Sequence, residues 1–564
     1  MRRRSHFTRP WMSLLARSSP LVLTLLLPLA GCAAPSPLDS PALRYGDVDV
    51  CGREVTTSSP EAQAWFDQGL TLLYGFNQDE ATRSFHAATQ ADPGCAMAWW
   101  GLALASGIDL NDPDMSEQDC RRAHDAAQRA LAESDGASEL ERALIEALAT
   151  RYAWPAPDDR GELDQAYADA MQSVFARFGE DPDVCTLYAD ALMCMQPWDY
   201  WTAEGEMKGR VGEAIDALER ALTGAPDHAG ACHYLIHACE AGQPERAEPA
   251  ADRLADRVPG SGHLLHMPSH IYVHVGRFAD ASDCNVAAIA ADHRYFETAP
   301  ARGNYMLYYV HNVHMLAFAA MMEGREQVAM DAARELEREV PLDVIEEMAP
   351  FVDGLMSTPL HVMVRFGHWE QILREPEPAD FQLFSRANYH YARGVALSAL
   401  GRTQEARVER AAFEQAAAAV PEDWRAGSNP SSDVLQIAGH MLAAELLWRE
   451  GHVDDAFVHM AAGAAVEDAM VYDEPPGWMQ PVRHAWGALL MADGRHADAE
   501  QVYRDDLARN PGTGWSILGL EQALRAQGQD AAADRAAAEL ALVWKRADVQ
   551  ATSSCYCEPG LAQS

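Results

Sequence analysis

Apolar and small residues recur along this chain with a period of about 34. Counting from Ala62 as position 1, Trp65 falls at 4, Gly69 at 8, Ala81 at 20, Phe85 at 24, Ala88 at 27 and Pro93 at 32. The next unit, from Ala96, puts Trp99 at 4 and Leu102 at 7. Near the C-terminus, counting from Gln480 gives Gly487 at 8, Leu490 at 11, Ala499 at 20, Tyr503 at 24 and Pro511 at 32. The unit after it starts at Gly514, with Leu520 at 7, Leu524 at 11 and Ala533 at 20. Gly276–Arg277, Gly324–Arg325, Gly401–Arg402 and Gly494–Arg495 mark the turn inside each unit, because glycine is the usual residue after a helix end. Alternating β-branched runs, the signal of strands, are essentially absent. Each unit is therefore expected to be a helical hairpin that cannot bury its apolar face alone and stacks on its neighbours.

This spacing is that of the tetratricopeptide repeat, with a large residue at 4, small residues at 8 and 20, an aromatic at 24 and proline at 32. The expected fold is all-α, a TPR-like helical-hairpin solenoid with the right-handed superhelix of that repeat. It is expected to run over residues 60–545, after a signal segment 1–31 and a tether 32–59, and to end in a tail 546–564. Two irregular insertions are expected, near Asn111–Pro157 and near Gln196–Lys208. The second holds Pro197–Trp198–Asp199–Tyr200–Trp201, which reads as a hydrophobic clamp between repeats or a cover for one mouth of the groove.

Seven histidines fall on one stripe of three successive units. Pro226 at position 32 makes Ala229 position 1, so His233 and His237 are at 5 and 9. Pro259 makes Gly262 position 1, so His263, His266 and His270 are at 2, 5 and 9. Gly324 at position 15 makes Val310 position 1, so His311 and His314 are at 2 and 5. Positions 4, 7, 8 and 11 pack against the partner helix, whereas 2, 5, 9 and 12 form a second stripe about 130° away. In tetratricopeptide arrays that stripe lines the concave groove. Histidine is 21 of 564 residues, so nine such slots should hold about 0.3 by chance. A lone histidine there is an ordinary polar residue. Seven together point to a transition-metal site, with an organic-ligand or proton-handling site as the alternative.

Residues four apart on a helix share a face, so His233/His237 and His266/His270 are two chelating pairs. Four ligands around one ion, or two ions sharing seven, would fit. An imidazole-rich set with few thiolates suits Zn, Cu, Fe or Ni better than Mg or Ca. Met267 and Met315 beside the cluster leave copper open, although both also read as packing residues. Glu240 at position 12 is a candidate ligand, orienting carboxylate or general base, and Tyr234 a candidate assisting group. His274 is a weaker candidate, and His361, alone at position 9 of its unit, reads as incidental. The carboxylates Glu467, Asp468, Asp473 and Glu474 read as capping and turn residues, or as acids facing the histidines if the superhelix closes on itself.

The N-terminus carries Arg2–Arg3–Arg4, an apolar run from Leu21 to Ala30, and Leu29–Ala30–Gly31–Cys32. That is the layout of a secretory signal, with an apolar run too short to span a membrane. Leu-Ala-Gly-Cys resembles the bacterial lipobox, which implies a lipid-modified Cys32 as first mature residue. The expected location is the cell envelope, at the outer membrane facing the periplasm or at the cell surface, with the lipid as the only membrane contact. Removing residues 1–31 takes five arginines and no acid, moving the net charge from −40 to −45. Such a body repels nucleic acid and anionic lipid. The other ten cysteines show no CxxC pair and read mostly as buried thiols, with Cys555 and Cys557 in a mobile tail.

The chain also resembles a family of bacterial tetratricopeptide-repeat proteins of unestablished function. The resemblance rests on Tyr74–Gly75–Phe76–Asn77, Cys95 through Gly101, His263 through Ala281, His311–Asn312–Val313–His314, Tyr472 through Pro476 and Gly512 through Ser516. It implies the fold and no reaction. Two functions remain open at this point. One is a metal-binding lipoprotein, acting as an enzyme on a small molecule held in the groove or simply holding metal. The other is a tetratricopeptide adaptor whose groove receives a protein or peptide. The groove positions of these three repeats carry imidazoles rather than the Lys, Arg and Asn that hold a peptide, which favours metal.

Overall fold

The structure is a computed structural model that describes residues 36–48, 51–299 and 305–557. The signal segment and Cys32 lie outside the described residues. The described chain is a succession of antiparallel helix pairs, from Pro60–Tyr74 with Gln78–Ala91 to Gly514–Ala526 with Asp530–Val543. The only strands among the described residues are Arg425–Ala426 and Asn429–Pro430, a two-residue antiparallel pair around Gly427. No described helix is long and apolar enough to cross a membrane.

Local sequence explains the hairpins. Ser59 caps one helix by accepting from Ala62 N–H, Asn77 the next from Glu80 N–H, and Ser138 forms a reciprocal capping box with Glu141. The turn glycines Gly276, Gly324, Gly401 and Gly494 all have φ between 73° and 80°, a region that side chains with a β-carbon avoid. The aromatic at position 24 is a knob between two glycines. A β-carbon at Gly69 or Gly101 would run into the ring of Phe85, and one at Gly487 or Gly519 into the ring of Tyr503. The same device at both ends of the chain is the repeat seen in three dimensions.

The superhelix closes on itself. The turn glycines Gly276 and Gly512 meet backbone to backbone. Trp515 and Trp544 donate their indole N–H groups to the carbonyls of Met321 and Met322 at 2.8 and 3.1 Å. At the other end, the first hairpin packs on the middle of the chain. Tyr74 donates to Asp183 at 2.7 Å, and its ring lies over Gly230. These contacts set the histidine-bearing helices Ala229–Cys239, Gly262–His266, Pro268–His274 and Tyr305–Glu323 inside the array.

Two expectations need correction. Residues 111–157 are mostly helical: Glu117–Ala132 and Glu139–Ala149 are regular helices, and only the flanking loops are irregular. The first buries Ala123, Ala126, Ala127 and Ala130, a stripe of small residues that a search for large apolar ones overlooks. The tail beyond 545 is docked as far as it is described. Arg546 pairs with Glu323 and Asp283, Asp548 accepts from Glu326 N–H, and Ser554 is fully buried beside Tyr503. Cys555 and Cys557 form a disulfide within it.

Asp292 shows how this interior treats charge. It is fully buried, accepts from Asn312 Nδ2 at 2.7 Å, and is pushed up to about 7 by burial, against the pull of Asn312 and Tyr305. Because its folded value lies above that of the unfolded chain, near 3.9, its contribution to stability is complete below about pH 4 and is lost as pH rises through 7. The upper bound is about 4 kcal/mol. Asp292→Asn is expected to remove that decline, so urea unfolding of the metal-free variant should lose less stability than wild type between pH 5 and pH 8.

Candidate metal centre

Six of the seven histidines of the sequence stripe come together. His233, His237 and His263 present ligand nitrogens within 4.8 Å of one another, and so do His266, His270 and His311. The two triads adjoin, with ring centroids 6.2 Å apart from His237 to His270 and from His263 to His266. His266 and His270 belong to two short helices separated at Met267, with Pro268 starting the second. Their imidazoles nonetheless meet at 4.7 Å, like the pair His233/His237 at 4.8 Å.

His314 is not in either triad. Its helix runs away from the cluster, and one turn beyond His311 the side chain faces the next repeat near His361, where burial and that second imidazole push it down to about 3. His361 itself accepts from Asn388 Nδ2 at 2.9 Å through Nε2, and its ring stands edge-on to Trp478. Tyr234 is also displaced from its expected role. Its ring touches Phe76 and His233, but its hydroxyl bonds Asp190, in a buried group with Cys194 and Arg151. Met267 and Met315 are fully buried in the hydrophobic core.

The tautomers follow from the partners. His233 Nδ1 lies 2.7 Å from the carbonyl of Tyr74, so it carries hydrogen and leaves Nε2 bare. His266 Nδ1 lies 2.7 Å from Asn285 Oδ1, whose own amide donates to Ala281 O, so His266 Nε2 is bare too. Glu240 holds His237 Nδ1 and His270 Nδ1 with its two oxygens, each at 3.1 Å. Glu474 also reaches His270 Nδ1. Thus His233, His237 and His266 fix Nδ1 on an acceptor and turn Nε2 inward, while His270 Nδ1 faces the two carboxylates as an ion-pair contact without a formed hydrogen bond.

The Nε2 atoms crowd together: 3.1 Å from His233 to His263, 2.8 Å from His266 to His270 and 3.3 Å from His270 to His311. His237 Nε2 and His263 Nδ1 are buried with no hydrogen-bond partner. Metal–nitrogen bonds of about 2.0–2.1 Å place neighbouring ligand nitrogens about 2.8–3.4 Å apart in octahedral or tetrahedral shells, which the observed spacings match.

Burial, aided by the neighbouring imidazoles, lowers the pKa of His233, His263, His266 and His311, leaving these rings neutral. His270 is the exception. Burial opposes its charge, but Glu240 and Glu474 outweigh it and hold it protonated without an ion. An ion taking His270 Nε2 would displace that proton.

The expected open groove is instead a closed chamber. His233, His237, His263, His266 and His270 are all no more than 6% exposed, and His311 is half-buried. Phe76 stacks on His237 at 5.7 Å and Tyr308 lies 4.3 Å from His263. Trp198 of the aromatic insertion stands edge-on to His237 at 5.0 Å, so it covers the cluster, while Trp201 clamps the repeat by donating to Ala238 O. Phe76, Tyr308 and Asn285 carry no sequence signal for these roles. Of the four late carboxylates only Glu474 reaches the histidines. Glu467 accepts from Val482 N–H, Asp468 pairs with Arg483, and Asp473 accepts from Ser428 N–H.

The fold and this chamber together define an all-α, tetratricopeptide-like repeat protein with an internal histidine cluster. No protein-family model matches the chain, and no curated protein matches it. Solved structures similar to it include the human IFIT1 dimer with m7Gppp-AAAA, at 12% identity over 87% of this chain and 91% of that one, with a TM-score of 0.29. The TPR domain of P58(IPK) is another, at 12% identity over 83% and 98%, with a TM-score of 0.21. At these scores the likeness says nothing about the site.

Proposed function

We propose that this protein binds transition-metal ions in its interior through two sites of three imidazoles, His233/His237/His263 and His266/His270/His311. One observation carries the reading: His233, His237 and His266 each commit Nδ1 to an acceptor, and within each triad Nε2 atoms converge, at 3.1 Å from His233 to His263 and 2.8 Å from His266 to His270. Ligating histidines are oriented in this way by their outer partners, and packing gives no reason for the free Nε2 atoms to converge. The donor set suits Zn, Cu, Fe or Ni. Three protein ligands leave a coordination position open, the arrangement of catalytic rather than structural sites. The reading therefore extends to a metal-dependent enzyme acting on a small molecule, with Glu240 as the nearest base. The adaptor reading requires a surface other than the histidine stripe, since that stripe is enclosed. By its sequence alone, the chain is proposed to be a lipoprotein held at the cell envelope through Cys32.

The test is elemental analysis of the purified protein beside a variant with His237, His266 and His270 changed to Ala. One or two equivalents of a single transition metal are expected, lost in the variant while helical circular dichroism persists. No stoichiometric metal in wild type, even after reconstitution, would remove the metal reading and leave the adaptor.

A further inference from the structure

The triads are enclosed, so an ion needs a way in. Two histidines of the region reach the surface, His311 and His274, and only His274 is backed by carboxylates. Its side chain is 32% exposed and contacts Glu474 Oε1 through Nε2, while Tyr472 stacks beside it at 5.7 Å. The other oxygen of Glu474 reaches His270 Nδ1, and Glu240 Oε2 lies 3.1 Å from the same atom. Glu240, His270 and Glu474 offer ligand atoms within 4.8 Å of one another. Donors thus run without a gap from the surface at His274, through two carboxylates whose side chains are 3% and 1% exposed, to His270 at the edge of the second triad.

We propose that His274, Glu474 and Glu240 form a loading site, at which a divalent transition-metal ion is captured before it passes to the imidazole triads. This rests on the metal reading above. The chemistry is graded in the right direction. Two buried carboxylates attract a hydrated cation and exchange its waters for oxygen ligands. The imidazoles inside bind borderline ions more firmly than carboxylates do, so transfer inward is downhill. The strongly acidic body raises the local cation concentration at the entrance. Glu474 is presented for this from a distant part of the chain, on a turn stiffened by Pro475 and Pro476 and fixed by Asp473 on Ser428 N–H.

The experiment mixes metal-free full-length protein with Zn2+ alone and follows both the rate of uptake, by a colorimetric chelator, and the final content, by elemental analysis. Glu474→Gln keeps the shape and an oxygen acceptor for His270, and His274→Ala alters a side chain outside both triads. Both are expected to slow uptake about tenfold or more, and His274→Ala to leave the final content at the wild-type value. A content lower by one equivalent at an unchanged rate would make these residues permanent ligands and overturn the loading role. Wild-type rate and content in both variants would overturn it as well. Absence of stoichiometric zinc from wild type is a separate outcome, which overturns the triads themselves.

Discussion

Stripping metal from the purified protein is expected to lower its unfolding free energy by about 4 kcal/mol for each ion that had been present at a thousandfold excess over its Kd. The reason lies in the metal-free chamber. It keeps His237 Nε2 and His263 Nδ1 buried without partners and crowds the Nε2 atoms of His266 and His311 to 2.8 and 3.3 Å from that of His270. Each arrangement costs free energy in the folded state, and an ion that accepts those lone pairs removes the cost. Chelation followed by urea unfolding should therefore give a lower midpoint, restored by adding back one transition metal and not by Mg2+ or Ca2+. Acid should act as a chelator does, because protons compete for the same nitrogens. An identical midpoint with and without metal would mean that the imidazoles are fully accommodated by the protein alone.

The second large effect concerns closure of the superhelix. Trp515→Ala is expected to destabilise the protein by about 3–5 kcal/mol, the usual cost of truncating a fully buried aromatic. Trp515 has no exposed surface, stands edge-on to Trp544 at 4.8 Å, stacks under the guanidinium of Arg365 and donates to Met321 O at the end of the helix that carries His311. Its loss leaves a cavity and takes one of two donors from the Met321 carbonyl, which still accepts from Gly324 N–H. The same C-terminal repeats deliver Glu474 to His270 and His274. The variant should therefore also take up Zn2+ more slowly, whereas Phe85→Ala, an equally buried knob of the first repeat, should destabilise without that kinetic change. Urea unfolding and the uptake assay read the two effects separately.

Much of this was legible in the chain. A period of about 34 with glycine at position 8 and an aromatic at 24 is a local pattern, and the structure repeats it as Phe85 between Gly69 and Gly101 and Tyr503 between Gly487 and Gly519. The histidine stripe was legible for the same reason. Helical geometry fixes which residues share a face, and a shared register on stacked repeats brings those faces together. That reasoning reached the clustering of six of the seven histidines with Glu240, because each meets its neighbours within one helix or between adjacent ones.

The tertiary structure decided the rest. His314 satisfies the register but sits where its helix has already left the cluster. Tyr234 is beside His233 in sequence, yet its hydroxyl faces Asp190. Phe76 and Glu474 complete the chamber from repeats far away in the chain, Trp198 from the insertion before the first histidine helix, and Tyr308 from the helix that carries His311. Periodicity carries information over one or two turns of helix. Whether the array stays an open groove or closes depends on the summed rotation between repeats and on long-range contacts such as Gly276 against Gly512. The sequence therefore determined which side chains would gather, and closure of the superhelix determined that they are buried, oriented and reached through His274 and Glu474.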